Sequence, residues 1–256
     1  MLLLAPVTTA LSFTAANGWH QFSAVSPIIL YFILVAIGMG HLWFILELFV
    51  VSMAFLLIRH FDKQDKIWNL GGKTSLGIIL LFYIPLLGAA QVLNFLAVFR
   101  NGLFLYLFLL GYFVFSHDSI QEKLKKYRLS LLASALILFI VQAFTYWGQN
   151  FTSIVNQPLV MLYTWIMILA IIGNAQAYFN FSNRFTKYMN KKSFLIYIFH
   201  YLPMITIAYL LTKNWNIPTI FYYLLTLIFS LITTFIICEF IPRIPGVRFI
   251  FGVNRK

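Results

Sequence analysis

Apolar residues run along this chain in blocks separated by short polar, mostly basic connections. The blocks are about 20 residues long, which at 1.5 Å per residue is what an α-helix needs to cross a hydrocarbon layer roughly 30 Å thick. Runs such as SLLASALILFIVQAF (130–144) show no alternation, so the strands of a transmembrane barrel are excluded. The pattern predicts seven spans, at 41–58, 74–92, 102–116, 129–148, 158–181, 193–212 and 218–240. Residues 1–16 predict an eighth, with 27–38 forming an apolar helix at or dipping into the interface. The expectation is an all-α, polytopic transmembrane helix bundle of about eight spans, one domain over 1–256 surrounded by membrane lipid.

Composition agrees with this reading. Of 256 residues, 62% are hydrophobic and 9% charged, whereas a soluble domain carries about a quarter charged. A net charge of +12 would suggest a nucleic acid partner for a soluble protein, but here the 18 Lys and Arg sit between the apolar blocks. From the first connection to the tail they number four, one, four, none, four, one and four. Connections rich in Lys and Arg stay in the cytoplasm, so the alternation places the C-terminus there and runs the 41–58 span from outside to inside. The charge is thus topological, and no nucleic acid partner is expected. The single Cys238 excludes an intramolecular disulfide, and no His or Cys pair has metal-ligand spacing. GGK (71–73) lacks the other residues of a phosphate-binding loop and reads as a turn.

A charge at the centre of a spanning helix costs about 2.5 to 3.5 kcal/mol on insertion scales, so those that survive need a partner, a water-filled cavity or a function. GHLWFILEL (40–48) holds two polar groups, His41 and Glu47. His41 falls at the outer boundary, and Glu47 lies about 9 Å below it and some 120° around the helix. They cannot pair on a straight helix. Glu47 either lines a polar cavity open to the outside or is protonated and hydrogen-bonded to an adjacent helix. In SFLIYIFHYLPM (193–204), Tyr197 and His200 share one face at i, i+3, and Pro203 is expected to bend the helix just beyond the histidine. His200 could be a general base, a proton relay or an interhelical hydrogen bond. Glu239, with Arg243 one turn on, reads as an interfacial anchor, and Gly111 as a point of close helix approach. Amides at Gln91, Asn94, Gln142, Gln149, Asn174 and Gln176 would join helices or meet sugar hydroxyls.

In order and spacing, GHLWFILEL (40–48), YLFLLGYFVF (106–115) with the basic loop after it, NKKSFLIYIFHYLP (190–203) and ICEFIPRIPGVRFIFG (237–252) resemble the acyltransferase 3 family of integral membrane proteins. The first element is especially similar to the branch that succinylates periplasmic glucans. The resemblance implies transfer of an acyl group, acetyl or succinyl, from a cytoplasmic donor such as acyl-CoA to a carbohydrate outside, in a bacterial cytoplasmic (inner) membrane, with no bound cofactor or metal. A base would deprotonate the sugar hydroxyl, and His41, Glu47 and His200 are the candidates. Family members have about ten spans, with an Arg and a His in the first that serve acyl transfer. No residue here matches that pair, and MLLLAPV (1–7) resembles the stretch after a basic motif preceding the third span, so a shortened chain is expected, resembling the C-terminal three quarters of the bundle. Lys123, Lys125 and Lys126 could meet the anionic donor, although topology already accounts for them. Two other functions stay open: a transporter or flippase using Glu47 and His200 as substrate or proton sites, and a non-catalytic remnant or assembly partner.

Overall fold

The protein is described by a computed structural model covering residues 4–15, 19–20, 25–62, 64–92, 94–96, 99–215 and 217–244. It is helical, apart from two short antiparallel segments, β1 (Asn94–Leu96) and β2 (Phe99–Arg100). The chain divides into two compact units, residues 1–44 with 182–256, and residues 45–181.

In the first unit, α1 (Leu4–Ala15) is held to α2 (Pro27–Phe61) by the buried Thr9 hydroxyl, which donates to the Leu34 carbonyl at 3.0 Å. The interfacial helix expected over 27–38 is continuous with the following span, because no proline or charge interrupts the apolar run between them. α11 (Arg184–Phe199), α12 (Tyr201–Asn214) and α13 (Thr219–Phe240) complete the unit. α13 buries Thr226, Ser230, Thr234 and Cys238, a row of small residues at i, i+4 that lets helices approach closely. Its hydroxyls donate to the helix's own carbonyls, as Thr234 does to Ser230 at 2.6 Å, so none of these hydroxyl hydrogens is left unsatisfied in the packed face.

The second unit forms around α10 (Pro158–Tyr178), against which α8 (Arg128–Thr145), α7 (Asp118–Lys126) and α5 (Tyr83–Ala89) pack. Trp165, Leu169 and Ala170 of α10 are fully buried. The Trp165 indole N–H donates to the Ile79 carbonyl at 3.2 Å, near the end of α4 (Leu76–Leu81). The span expected over 74–92 breaks at Phe82 into α4 and α5. α3 (Lys66–Gly71) and α6 (Asn101–Leu110) complete this part, and α6 runs into a π-helical turn, Gly111–Phe115. α7 then turns away by 95°, burying Ile120 and Leu124 while its charges stay outside. The Lys123 ammonium donates to the Thr74 carbonyl at 2.8 Å.

Four helices are long and apolar enough to cross a membrane among the described residues: Trp43–Phe61, Arg128–Thr145, Pro158–Tyr178 and Thr219–Arg243. Two bent pairs, α6 through the π turn with α7, and α11 with α12, raise the number to six. The chain is an integral membrane protein. Of the other expected spans, α1 has 12 residues and reaches about 18 Å, and Leu76–Ala89 is a shorter apolar stretch.

Gly111 does not mark a close approach, since a Cβ there would meet nothing within 4 Å. Gly173 does: a Cβ on it would stand 2.5 Å from the Leu124 carbonyl oxygen of α7. The two alanine substitutions should therefore move stability in opposite directions. Gly173→Ala is expected to destabilise by about 1 to 3 kcal/mol through overpacking, and Gly111→Ala to stabilise by up to about 1 kcal/mol through helix propensity. Thermal unfolding of the detergent-purified protein measures both, and equal shifts would contradict the α7–α10 contact.

Candidate functional site

α11 and α12 meet at His200 with a bend of 54°. The bend falls at the histidine, where Pro203 is expected to place it. Pro203 has no N–H to offer the carbonyl four residues back, which loosens the turn containing His200. His200 Nδ1 lies 2.7 Å from the Tyr197 carbonyl oxygen. A carbonyl only accepts, so Nδ1 carries the hydrogen, and the neutral ring keeps its lone pair on Nε2. No described residue bonds Nε2. The Tyr197 and His200 rings are 5.9 Å apart, and Tyr197 also meets Phe44 edge to face at 5.8 Å. The shared face read from the i, i+3 spacing is present.

One residue on, Tyr201 begins the lining of a cavity of about 530 Å³. α12 supplies most of its wall as far as Lys213, with Ser12 of α1 and Tyr222 of α13. The Tyr222 hydroxyl donates to the Ala208 carbonyl at 3.2 Å, and Thr212 donates to the same carbonyl at 2.6 Å and approaches the Tyr222 oxygen at 3.2 Å. The Lys213 ammonium stands 5.7 Å from the centroid of the Tyr209 ring. Sequence reasoning missed this cavity, although Tyr201, Ile205, Ala208 and Thr212 recur at three- and four-residue spacing on one helix face.

Glu47 belongs to the other unit. It is 3% exposed, and the Asn101 side-chain amide donates to its Oε2. Of the two arrangements open from sequence, the structure contains the hydrogen bond to an adjacent helix, α6. Glu47 Oε1 and Asn101 Oδ1 are both buried without a partner. Beside Asn101, the Arg100 guanidinium donates to Asn156 and meets the Met161 sulfur at 3.5 Å. Burial lowers the Arg100 pKa from its usual value.

His41 is a residue of α2, and its side chain lies outside the described residues. Glu239 is not paired with Arg243. Tyr188 donates to it at 2.5 Å and Lys192 lies at 3.2 Å, both on α11, while the Arg243 guanidinium sits over the Phe240 ring at 5.1 Å. On α7, Lys125 at 3.2 Å and Gln176 at 3.5 Å donate to Glu122 and hold its carboxyl below the usual range. Among the described residues no three His, Cys, Asp or Glu side chains gather as metal ligands.

The Glu47–Asn101 contact predicts a graded series. Glu47→Gln keeps an acceptor oxygen and adds a donor, so stability should stay within about 1 kcal/mol of the parent, whereas Glu47→Ala strands the Asn101 amide and should cost about 1 to 3 kcal/mol. Denaturation in detergent reads the difference.

No curated protein and no solved structure matches the chain. Residues 1–239 match the family described as Acyltransferase domain, acyltransferase 3. With apolar helices long enough to span a bilayer and a family match over nearly its whole length, the chain belongs to the acyltransferase 3 family and is a membrane acyltransferase-like protein.

Proposed function

We propose that the protein serves O-acyl transfer from a cytoplasmic acyl donor such as acyl-CoA to a hydroxyl of a carbohydrate on the outer side of a bacterial cytoplasmic membrane, the acyl group being acetyl or succinyl. The observation that carries the reading is the His200 imidazole, held as the Nδ1–H form by the Tyr197 carbonyl, next in the chain to the first residue of a hydroxyl-lined cavity. A ring fixed in that form offers Nε2 as a proton acceptor. Such a base takes the proton of the acceptor hydroxyl as its oxygen attacks the thioester carbonyl. The C–S bond then breaks, and the departing thiolate receives the proton from Nε2. Tyrosine rings and hydroxyls suit the apolar faces and edges of a sugar. The charge pattern supports the placement: the connections around Lys123 and Lys191 are basic and the one holding Lys213 carries a single cation, so α12 runs outward from His200 to Lys213.

His200→Asn retains a donor for the Tyr197 carbonyl but has no basic nitrogen at the Nε2 position. Expressed at parental levels in cells lacking the native gene, it should lower alkali-labile, glycan-linked acyl groups by about 10² to 10⁴ in initial rate, the range for loss of general-base catalysis. Acylation at the parental rate would overturn the role given to His200.

A further inference from the structure

We infer that the cavity along α12 takes a carbohydrate bearing a negative charge, a carboxylate or phosphate substituent that meets Lys213; the inference rests on the reading of this cavity as the acceptor site. Among the described lining residues Lys213 is the one cation, and none is Asp or Glu. The six acidic residues of the chain, Glu47, Asp62, Asp65, Asp118, Glu122 and Glu239, all lie outside α12, the following turn and the first turns of α13. No carboxylate of the protein is therefore placed to neutralise the ammonium from within this wall.

The donors of the cavity divide into spent and unspent ones. Thr212 and Tyr222 give their hydrogens to the Ala208 carbonyl, and Ser12 gives its own to the Thr8 carbonyl at 2.9 Å. Lys213 and Tyr209 make no hydrogen bond to any described residue, and their recorded contact is with each other, ammonium to ring. The aromatic face holds the cation through its quadrupole while leaving the N–H groups to point elsewhere. A phenol hydroxyl and an ammonium, one helical turn apart on a single wall, form a donor set for the oxygens of an anion. The rest of the lining, Ile205 and the tyrosine rings among it, suits the uncharged body of a sugar. Lys213 also lies in the last turn of α12, where a cation complements the helix dipole. That role makes no distinction between charged and neutral ligands, and this difference is what the test reads.

The full chain in phosphatidylcholine nanodiscs is titrated with two probes, a glucuronate-containing oligosaccharide and its neutral glucose counterpart. The expected result is at least tenfold tighter binding of the acidic probe, a preference that weakens as salt rises. Lys213→Met should abolish the preference, bringing the acidic probe down to the affinity of its neutral counterpart, and Lys213→Arg should preserve it. Equal affinity of the parent for both probes overturns the inference while leaving the acceptor reading in place. Binding of neither probe overturns the acceptor reading itself, and the inference with it. If neither sugar discriminates but discs containing phosphatidylglycerol show Lys213-dependent lipid retention, the anion belongs to a headgroup and the inference is again overturned.

Discussion

A backbone carbonyl without a donor in a hydrocarbon layer costs several kcal/mol, and the interior of this protein is arranged around that penalty. Where the helices break, side chains answer carbonyls. At the Phe82 break, the Trp165 indole takes the Ile79 carbonyl, and the Phe82 carbonyl, which accepts the Leu86 N–H at 3.3 Å, also receives the Tyr106 hydroxyl at 3.0 Å. At the α11–α12 break, the His200 ring takes the Tyr197 carbonyl. The same bond that makes the second break tolerable selects the ring tautomer.

Basic side chains at the ends of the helices serve the same constraint. Lys123 donates to the Thr74 carbonyl, Lys192 to the Cys238 carbonyl and Arg128 to the Lys125 carbonyl. Residues whose positions carry the topological signal therefore also satisfy carbonyls in the last turns of α13 and α7 and in the turn before α4. Their long apolar stems reach carbonyls that water does not reach as easily, with the charge kept near the interface.

The helical class and most of the long spans were legible in the sequence, because hydrocarbon thickness imposes a block length that composition shows directly. Breaks were less legible. The break at Phe82 was not expected from the sequence, whereas the bend expected from Pro203 just beyond His200 falls at that residue, since a missing N–H loosens the preceding turn. Gly111 and Gly173 look alike in a sequence, and only the neighbouring Leu124 backbone separates them. The row of hydroxyls on α13 reads as polar and is chemically spent on its own helix. The Asn101 partner of Glu47 was hidden for a different reason: the contact joins two helices distant in the chain, and no local period encodes it.

That distance has a consequence for how the protein is made. Asn101 follows Glu47 by 54 residues, and at elongation rates of about 5 to 20 residues per second the carboxyl is synthesised roughly 3 to 11 seconds before the amide that receives it. Through that interval the nascent α2 must hold an unpaired acid in or beside the translocation machinery. The helix is apolar enough to insert despite it, and the arrival of α6 then fixes a segment that until that moment had its least comfortable group still seeking a home.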